Sequence, residues 1–234
     1  MAAGAYPRRG VSTVAGASAV VQPTATGRSV SDALVLRVAV PIATMLVLGA
    51  VALLVLMTPF YMHAALDAAG SAAVLGSSTS ETYRISDQTI ADLFSPSGAF
   101  AFFDTAEQAH MRDARVVLWG FLGLAAIGGL GLALALTRRR DRREVIRSVG
   151  TGGAALVVGS VAVGAFAAVA FDTAFELFHR IFFPGGNWSF DPTTERLVQL
   201  YPEPFWQLTA AVLGILLVSG GAIVWLAARR LRTR

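Results

Sequence analysis

Hydrophobic residues in this chain are concentrated in four long stretches, and polar, arginine-rich or aromatic segments separate them. The stretches cover approximately residues 38–57, 116–136, 150–171 and 208–228. A helix needs about 20 residues to cross a hydrocarbon core of ~30 Å, and each stretch is long enough. The pattern therefore predicts an all-α membrane protein, a four-helix transmembrane bundle.

The connection formed by residues 58–112 is too long for a plain loop and is expected to contain structure. The pattern of apolar residues predicts a short helix over 86–94. Asp104 and Glu107 have the spacing of a capping box, which predicts a helix that starts there and continues into the second span.

The connection formed by residues 176–205 is also long. Asp191 followed by Pro192 is typical of a helix start, so we predict a short helix over residues 192–200. With the first connection, this segment is expected to form a small extracytoplasmic cap. Its aromatic residues are typical of an interfacial belt: Phe182, Phe183, Trp188, Tyr201, Phe205 and Trp206.

Composition supports a bilayer protein and excludes several kinds of site. Hydrophobic residues make up 55% of the chain and charged residues only 15%, which is too apolar for a soluble domain. The absence of cysteine excludes disulfides, a cysteine nucleophile and thiolate metal sites. Glycine runs at residues 128–131 and 150–153 predict close contacts between helices rather than a phosphate-binding loop.

The arginines predict the orientation of the helices. All 19 basic residues are arginine, and most of them flank the spans on one side, so both termini are expected in the cytoplasm. This orientation explains the basic character better than nucleic-acid binding, for which no recognition module is visible. The predicted organisation is a disordered cytoplasmic tail (1–35), a membrane domain (36–228) with outer segments 58–112 and 176–205, and a basic cytoplasmic tail (229–234).

The histidines, His63, His110 and His179, are all predicted on the outer side. His110 has Glu107 three residues before it and Asp113 three residues after it, so the three side chains are neighbours on one helix surface. From the residues alone, three interpretations of His110 and His179 stay open: interfacial polar groups, an acid/base pair, or a metal site with a carboxylate.

His179 follows Glu176 by three residues and Asp172 by seven, which places these three on one face of the third helix. Asp172 lies near the edge of the apolar core, where an ionisable residue is costly and often functional. The carboxylates are expected to favour charged His179. The helix N-terminus is expected to favour neutral His110.

Two motifs resemble the Lit-type lipoprotein intramolecular transacylases, a four-span membrane family. Residues 107–113, EQAHMRD, resemble the family pattern E-x-x-H-M-x-D-V. Residues 171–205 resemble its second signature, FD-x-x-F-x-x-FH-x-x-FFP-x-x-x-W-x-F-D-P, followed by L-I-x-L-Y-P-E-x-F. Ala114 stands where the family commonly has valine, and residues 70–103 match poorly.

The resemblance implies a reaction without a cofactor or metal at the outer face of a bacterial cell membrane. The enzyme moves the sn-2 acyl chain of a lipoprotein's diacylglyceryl group to the α-amine of its N-terminal cysteine, giving a lyso-form lipoprotein. Its partners are that diacylglyceryl-cysteine and membrane lipid. The resemblance also implies that His110 and His179 are catalytic.

We expect the two histidine side chains to lie roughly 4–9 Å apart, so that both serve one substrate. His110 is the candidate base and His179 the candidate acid or oxyanion stabiliser, although the roles could be reversed. Eight residues are candidate supporting groups: Asp113, Glu107, Asp172, Glu176, Arg112, Arg180, Trp188 and Tyr201. The alternatives are a non-enzymatic assembly or sensor protein and an outward-facing metallohydrolase.

Overall fold

The computed structural model describes residues 1, 2, 4, 34–137 and 142–232. The described residues are mainly helical, and none of them forms a strand. The helices are α1 (Val35–Leu56), α2 (Pro59–Ala69), α3 (Ser71–Leu75), α4 (Thr79–Phe94), α5 (Thr105–Thr137), α6 (Arg142–Val169), α7 (Phe171–Phe182), α8 (Arg196–Leu200) and α9 (Glu203–Arg232). Most of the predicted N-terminal tail and the arginines at 138–140 lie outside the described residues.

Four of these helices, α1, α5, α6 and α9, are long and apolar enough to cross a membrane. The predicted four-helix transmembrane fold is therefore confirmed. Helix α9 packs most extensively against α6, and α1 contacts all three of the other spans. Large apolar side chains such as Val158 and Val163 remain 70% and 66% exposed, which suits helices surrounded by lipid.

The predicted close contacts at the 150–153 glycine run are confirmed. A Cβ atom on Gly152 would lie 2.7 Å from the Pro41 carbonyl oxygen of α1, and one on Gly153 would lie 2.7 Å from the Gly221 carbonyl oxygen of α9. Any larger residue would force the backbones apart. Small residues at these positions allow α6 to pack closely against both neighbours.

The cap is continuous with the adjoining ends of two spans, α5 and α9. Buried side chains from α2, α4, α5, α8, α9 and the loop before α5 form one apolar cluster. Its largest members are Leu66, Ile85, Phe100, Phe103, Met111, Leu200, Tyr201 and Phe205. The cap is therefore anchored to the bundle.

Helix boundaries differ from the predicted ones at two places in the cap. The predicted helix at 86–94 begins earlier, at Thr79, because the Ser78 side chain accepts a hydrogen bond from the Glu81 N–H at 3.2 Å and caps it. The helix predicted over 192–200 begins only at Arg196. Asp191 instead closes a turn, because its carboxylate accepts hydrogen bonds from both the N–H and the hydroxyl of Thr193.

The third apolar stretch does not continue as one helix into the outer segment. Helix α6 ends at Val169, and Ala170, with φ −141° and ψ 61°, interrupts the helical backbone before α7. The residue pattern changes at the same point. After its charged first turns, helix α6 is apolar on nearly all sides, whereas α7 is amphipathic, with polar residues on one side and phenylalanines on the other. The predicted position of Asp172, Glu176 and His179 on the third spanning helix is therefore wrong, because all three lie on α7.

Candidate active site

The fold brings His110 and His179 together from different helices. His110 lies in the second turn of α5, and His179 lies near the C-terminal end of α7. Their ring centroids are 6.0 Å apart, and the ring planes are inclined by 30°. Each histidine is only 8% exposed. The separation lies within the predicted range.

A backbone carbonyl orients the His179 ring. His179 Nδ1 lies 2.8 Å from the carbonyl oxygen of Phe175, one helical turn earlier. A carbonyl oxygen can only accept a hydrogen bond, so Nδ1 carries the proton and Nε2 of the neutral ring has a free lone pair. Burial lowers the pKa of His179, although the hydrogen bond to Phe175 partly opposes this effect.

The expectation that neighbouring carboxylates favour charged His179 is wrong. Glu176 pairs instead with Arg180, at 2.5 Å between Oε1 and a guanidinium nitrogen. Asp172 is exposed and makes no hydrogen bond or ion pair with any residue that the structure describes. Burial therefore has the largest effect on the pKa of His179, and it favours the neutral form of the ring.

Aromatic side chains surround the histidine pair. Phe183 is the central member, with its ring centroid 4.7 Å from that of His110 and 5.6 Å from that of His179. The five residues of this aromatic lining are Phe175, Phe178, Phe183, Trp188 and Phe190. Such rings exclude water and lower the local dielectric constant, which strengthens electrostatic interactions at the site.

Glu107 holds the start of α5 in place. Its Oε2 accepts the Asp104 N–H at 2.8 Å, and Asp104 Oδ1 in turn accepts the Glu107 N–H at 2.8 Å. This reciprocal pair confirms the predicted capping box. The other oxygen, Oε1, accepts the Leu197 N–H of α8 at 2.6 Å. Glu107 is only 1% exposed, so it connects α5 to α8 as a buried structural clamp.

Asp113 contacts an amide that the sequence did not single out. Asn187 Nδ2 donates a hydrogen bond to Asp113 Oδ2 at 2.7 Å and so joins the segment after α7 to α5. His179, Asp113 and Asn187 all lie close to the His110 ring. The Pro-Gly-Gly turn before Asn187 was the available sequence signal, because it reverses the chain toward α5.

The family model that describes the lipoprotein intramolecular transacylase Lit matches residues 37–206. The chain belongs to the Lit family. Solved structures of the membrane-integral Lit from Bacillus cereus share its fold. One, at 20% identity, has a TM-score of 0.68 and covers 84% of this chain and 94% of that chain. A histidine-to-arginine variant, at 19% identity, has a TM-score of 0.63 with coverages of 84% and 90%. No curated protein sequence matches the chain.

The remaining predicted residues take different places in this Lit-family chain. Trp188 lies beside the site, with its ring centroid 5.0 Å from that of His179. Tyr201 belongs to the cap core, where burial raises its pKa to about 12 and its hydroxyl lies 3.2 Å from the Ser86 hydroxyl. Arg112 is exposed and has no ion-pair partner among the described residues.

The predicted interfacial aromatic belt is only partly correct. Phe183, Tyr201 and Phe205 are 6%, 5% and 2% exposed, so they pack inside the protein. Phe182 and Trp206 remain 46% and 38% exposed and are available to the membrane interface. Aromatic side chains suit both environments, so their position near an apolar span did not distinguish the two.

His63 lies in a separate polar cluster of the cap. Its Nε2 is 2.9 Å from Asp87 Oδ1, and its ring stacks on Tyr83 with centroids 4.0 Å apart. The Tyr83 hydroxyl donates a hydrogen bond to Asp67. These contacts join α2 to α4. Over the described residues, no group of three or more histidine and acidic side chains has the arrangement of a metal site.

Proposed function

We propose that this chain transfers the sn-2 acyl chain of a lipoprotein's S-diacylglyceryl group to the α-amine of the same N-terminal cysteine. The amine nitrogen forms a bond to the acyl carbonyl carbon, and the bond from that carbon to the glycerol oxygen breaks. The amine loses a proton and the glycerol oxygen gains one. Membership of the Lit family and the paired buried histidines support this reaction.

Positioning accounts for much of the proposed rate enhancement. The donor ester and the acceptor amine belong to one molecule, so the enzyme needs only to hold them in near-attack geometry. Well-oriented intramolecular reactions reach effective molarities of about 10⁵–10⁸ M, equivalent to ~7–11 kcal/mol of the barrier. No covalent acyl-enzyme intermediate is then required.

The histidine pair supplies the remaining proton transfers. His179 is the better candidate base, because its hydrogen bond to Phe175 leaves Nε2 as an acceptor. Neutral His110, whose ring centroid is 6.0 Å from that of His179, then takes up the amine proton from His179, directly or through water, and returns it to the departing glycerol oxygen. Each such transfer is worth about 10²–10⁴-fold in rate. This assignment reverses the roles that the sequence suggested.

The aromatic lining has a chemical purpose in this proposal. Water competes with the amine for the activated ester, and its attack would release a free fatty acid instead of an N-acylated product. Phe183 is in contact with both imidazoles and is only 6% exposed. It therefore keeps water from the side of the site at which proton transfer occurs.

We further propose that the site lies on the outer face of a bacterial cell membrane, with both termini in the cytoplasm. The arginine-rich segments support this orientation, because they flank the spans on the side opposite the cap. A lipoprotein substrate anchored by its acyl chains in the outer leaflet would then present its modified cysteine directly to the histidine pair.

The experiment is a conversion assay with purified protein and a synthetic diacylglyceryl-cysteine lipopeptide, read by tandem mass spectrometry. The product should have unchanged mass, with one acyl chain moved to the α-amine. His110→Ala and His179→Ala should each lower the rate at least about 10²-fold, while His63→Ala, the matched control, should retain most of it. Full activity in either site variant, or release of fatty acid by the wild-type protein, would contradict the proposal.

A further inference from the structure

Two buried polar atoms beside the histidine pair lack hydrogen-bond partners among the described residues. They are Nδ1 of His110 and Oδ1 of Asn187. One is a ring nitrogen that can carry a proton, and the other is a pure acceptor. Because an unpaired buried polar atom is costly, a native site normally satisfies such groups.

The Asn187 amide has a fixed orientation. Its Nδ2 donates to the Asp113 carboxylate at 2.7 Å, and a carboxylate can only accept, so the amide cannot flip without losing this bond. Gly186, in the left-handed region with φ 74°, directs the chain into this position. Oδ1 is therefore the free end of the side chain, and only an N–H or O–H donor can satisfy it.

His110 is the neighbouring group that can supply that donor, since Asn187 already interacts with its ring. We propose that Asn187 is a positioning residue for the transacylation inferred above. Its Oδ1 accepts the His110 Nδ1–H when substrate is bound. The contact holds the proton of neutral His110 on Nδ1 and leaves Nε2 to face the reacting groups.

The two histidines would then be held in the same way. His179 donates its Nδ1–H to the backbone carbonyl of Phe175, and His110 would donate its own to the side-chain carbonyl of Asn187. Both rings would present Nε2 to one substrate. On the His110 side, Asp113 behind the amide would also stabilise the ring when it takes up a proton, as an orienting third group does for many catalytic bases.

The test measures the tautomer of His110 and the kinetics of acyl transfer in the wild-type protein and in variants. With ¹⁵N-histidine-labelled protein, long-range ¹⁵N–¹H spectra should show neutral His110 protonated on Nδ1 in the presence of a non-reactive ether analogue of the lipopeptide. Asn187→Leu should shift the tautomer toward Nε2–H and lower kcat about 10–100-fold, by analogy with other orienting partners, with little change in KM. Asp113→Asn keeps an acceptor for Nδ2 and should preserve the tautomer, but it removes the negative charge that stabilises protonated His110 and should therefore lower kcat.

Gln108→Leu is the matched control. It also removes an amide from the start of α5, but that amide donates to the Phe103 carbonyl oxygen rather than contacting His110. It should leave the His110 tautomer and kcat unchanged. A His110 ring protonated on Nε2 in the wild-type protein would overturn the inference. So would an Asn187→Leu variant, melting like wild type, that keeps the wild-type tautomer.

The spectra require no turnover. If the wild-type protein shows the Nδ1–H tautomer and its dependence on Asn187 but no acyl transfer, the proposed reaction fails while the positioning contact stands. If acyl transfer occurs but the tautomer does not depend on Asn187, the positioning inference alone fails.

Discussion

Replacing Glu107 by glutamine tests whether this buried carboxylate is structural or catalytic. In the wild-type protein its two oxygens accept N–H groups from Asp104 and Leu197 at 2.8 and 2.6 Å. A glutamine has one acceptor oxygen, so one of these bonds is lost and an NH₂ group then faces a backbone N–H. Hydrogen bonds to charged groups contribute about 1.5–3 kcal/mol each.

The loss corresponds to a fall of about 3–12 °C in the melting temperature of a protein of this size, at about 2–4 °C per kcal/mol. Glu107→Ala removes both acceptors and should cost about twice as much free energy, ~3–6 kcal/mol. Tryptophan fluorescence during heating in detergent measures the transition. Glu203→Gln is the control, because Glu203 is exposed and, among the described residues, its side chain accepts a hydrogen bond only from Gln207. This change should alter stability by no more than ~0.5 kcal/mol.

The activity of the Glu107→Gln variant distinguishes a structural role of Glu107 from a catalytic one. A structural clamp predicts that Glu107→Gln, assayed well below its melting temperature, retains kcat within about tenfold of wild type. A proton-transfer residue would instead show a loss of about 10²–10⁴-fold. A wild-type melting temperature combined with such a loss would refute the structural assignment.

Three further predictions concern orientation, water exclusion and pH. Single cysteines at Ser97 and Ser189 should react with a membrane-impermeant maleimide on intact cells, and a single cysteine at Ser148 should not. The reverse labelling pattern would contradict the proposed orientation. Phe183→Ala should raise the ratio of released fatty acid to N-acylated product, and an unchanged ratio would argue against water exclusion by this ring. Burial lowers the pKa of His179 below its ordinary value of 6.5, so the ¹⁵N titration of this ring should have a midpoint below pH 6.5. The neutral ring should therefore persist to more acidic pH than a free imidazole does. A midpoint at or above pH 6.5 would contradict this prediction.

The spanning helices were predictable because lipid imposes a simple requirement on them. A helix such as α6 must be apolar over about 20 residues, and that pattern is visible without tertiary information. The capping box at Asp104 and Glu107 was equally visible, because both hydrogen bonds are local. The second bond of Glu107, to Leu197, joins residues 90 positions apart and left no local signal.

The site was predictable in its histidines but not in its electrostatics. Helical spacing correctly placed Glu176 near His179 along the chain, yet the Glu176 carboxylate pairs with Arg180. Burial, rather than a neighbouring carboxylate, therefore has the larger effect on the protonation of His179. Asn187 was missed because its importance depends on Asp113 of another helix. Contacts of this kind depend on how α5 and the segment after α7 pack together, which periodicity does not reveal.

An isotope crossover measurement tests the central claim most directly, namely that the acyl chain moves within one lipoprotein molecule at the His110–His179 site. Two lipopeptides of different peptide mass are mixed, one of them with a deuterated sn-2 acyl chain, and the purified protein converts the mixture. Every N-acylated product should carry its own original chain, and His110→Ala and His179→Ala should each form product at least about 10²-fold more slowly than the wild-type protein. Deuterated chains on the unlabelled peptide would show intermolecular transfer and contradict the proposed reaction. Product formation by either variant at the wild-type rate would contradict the proposed site.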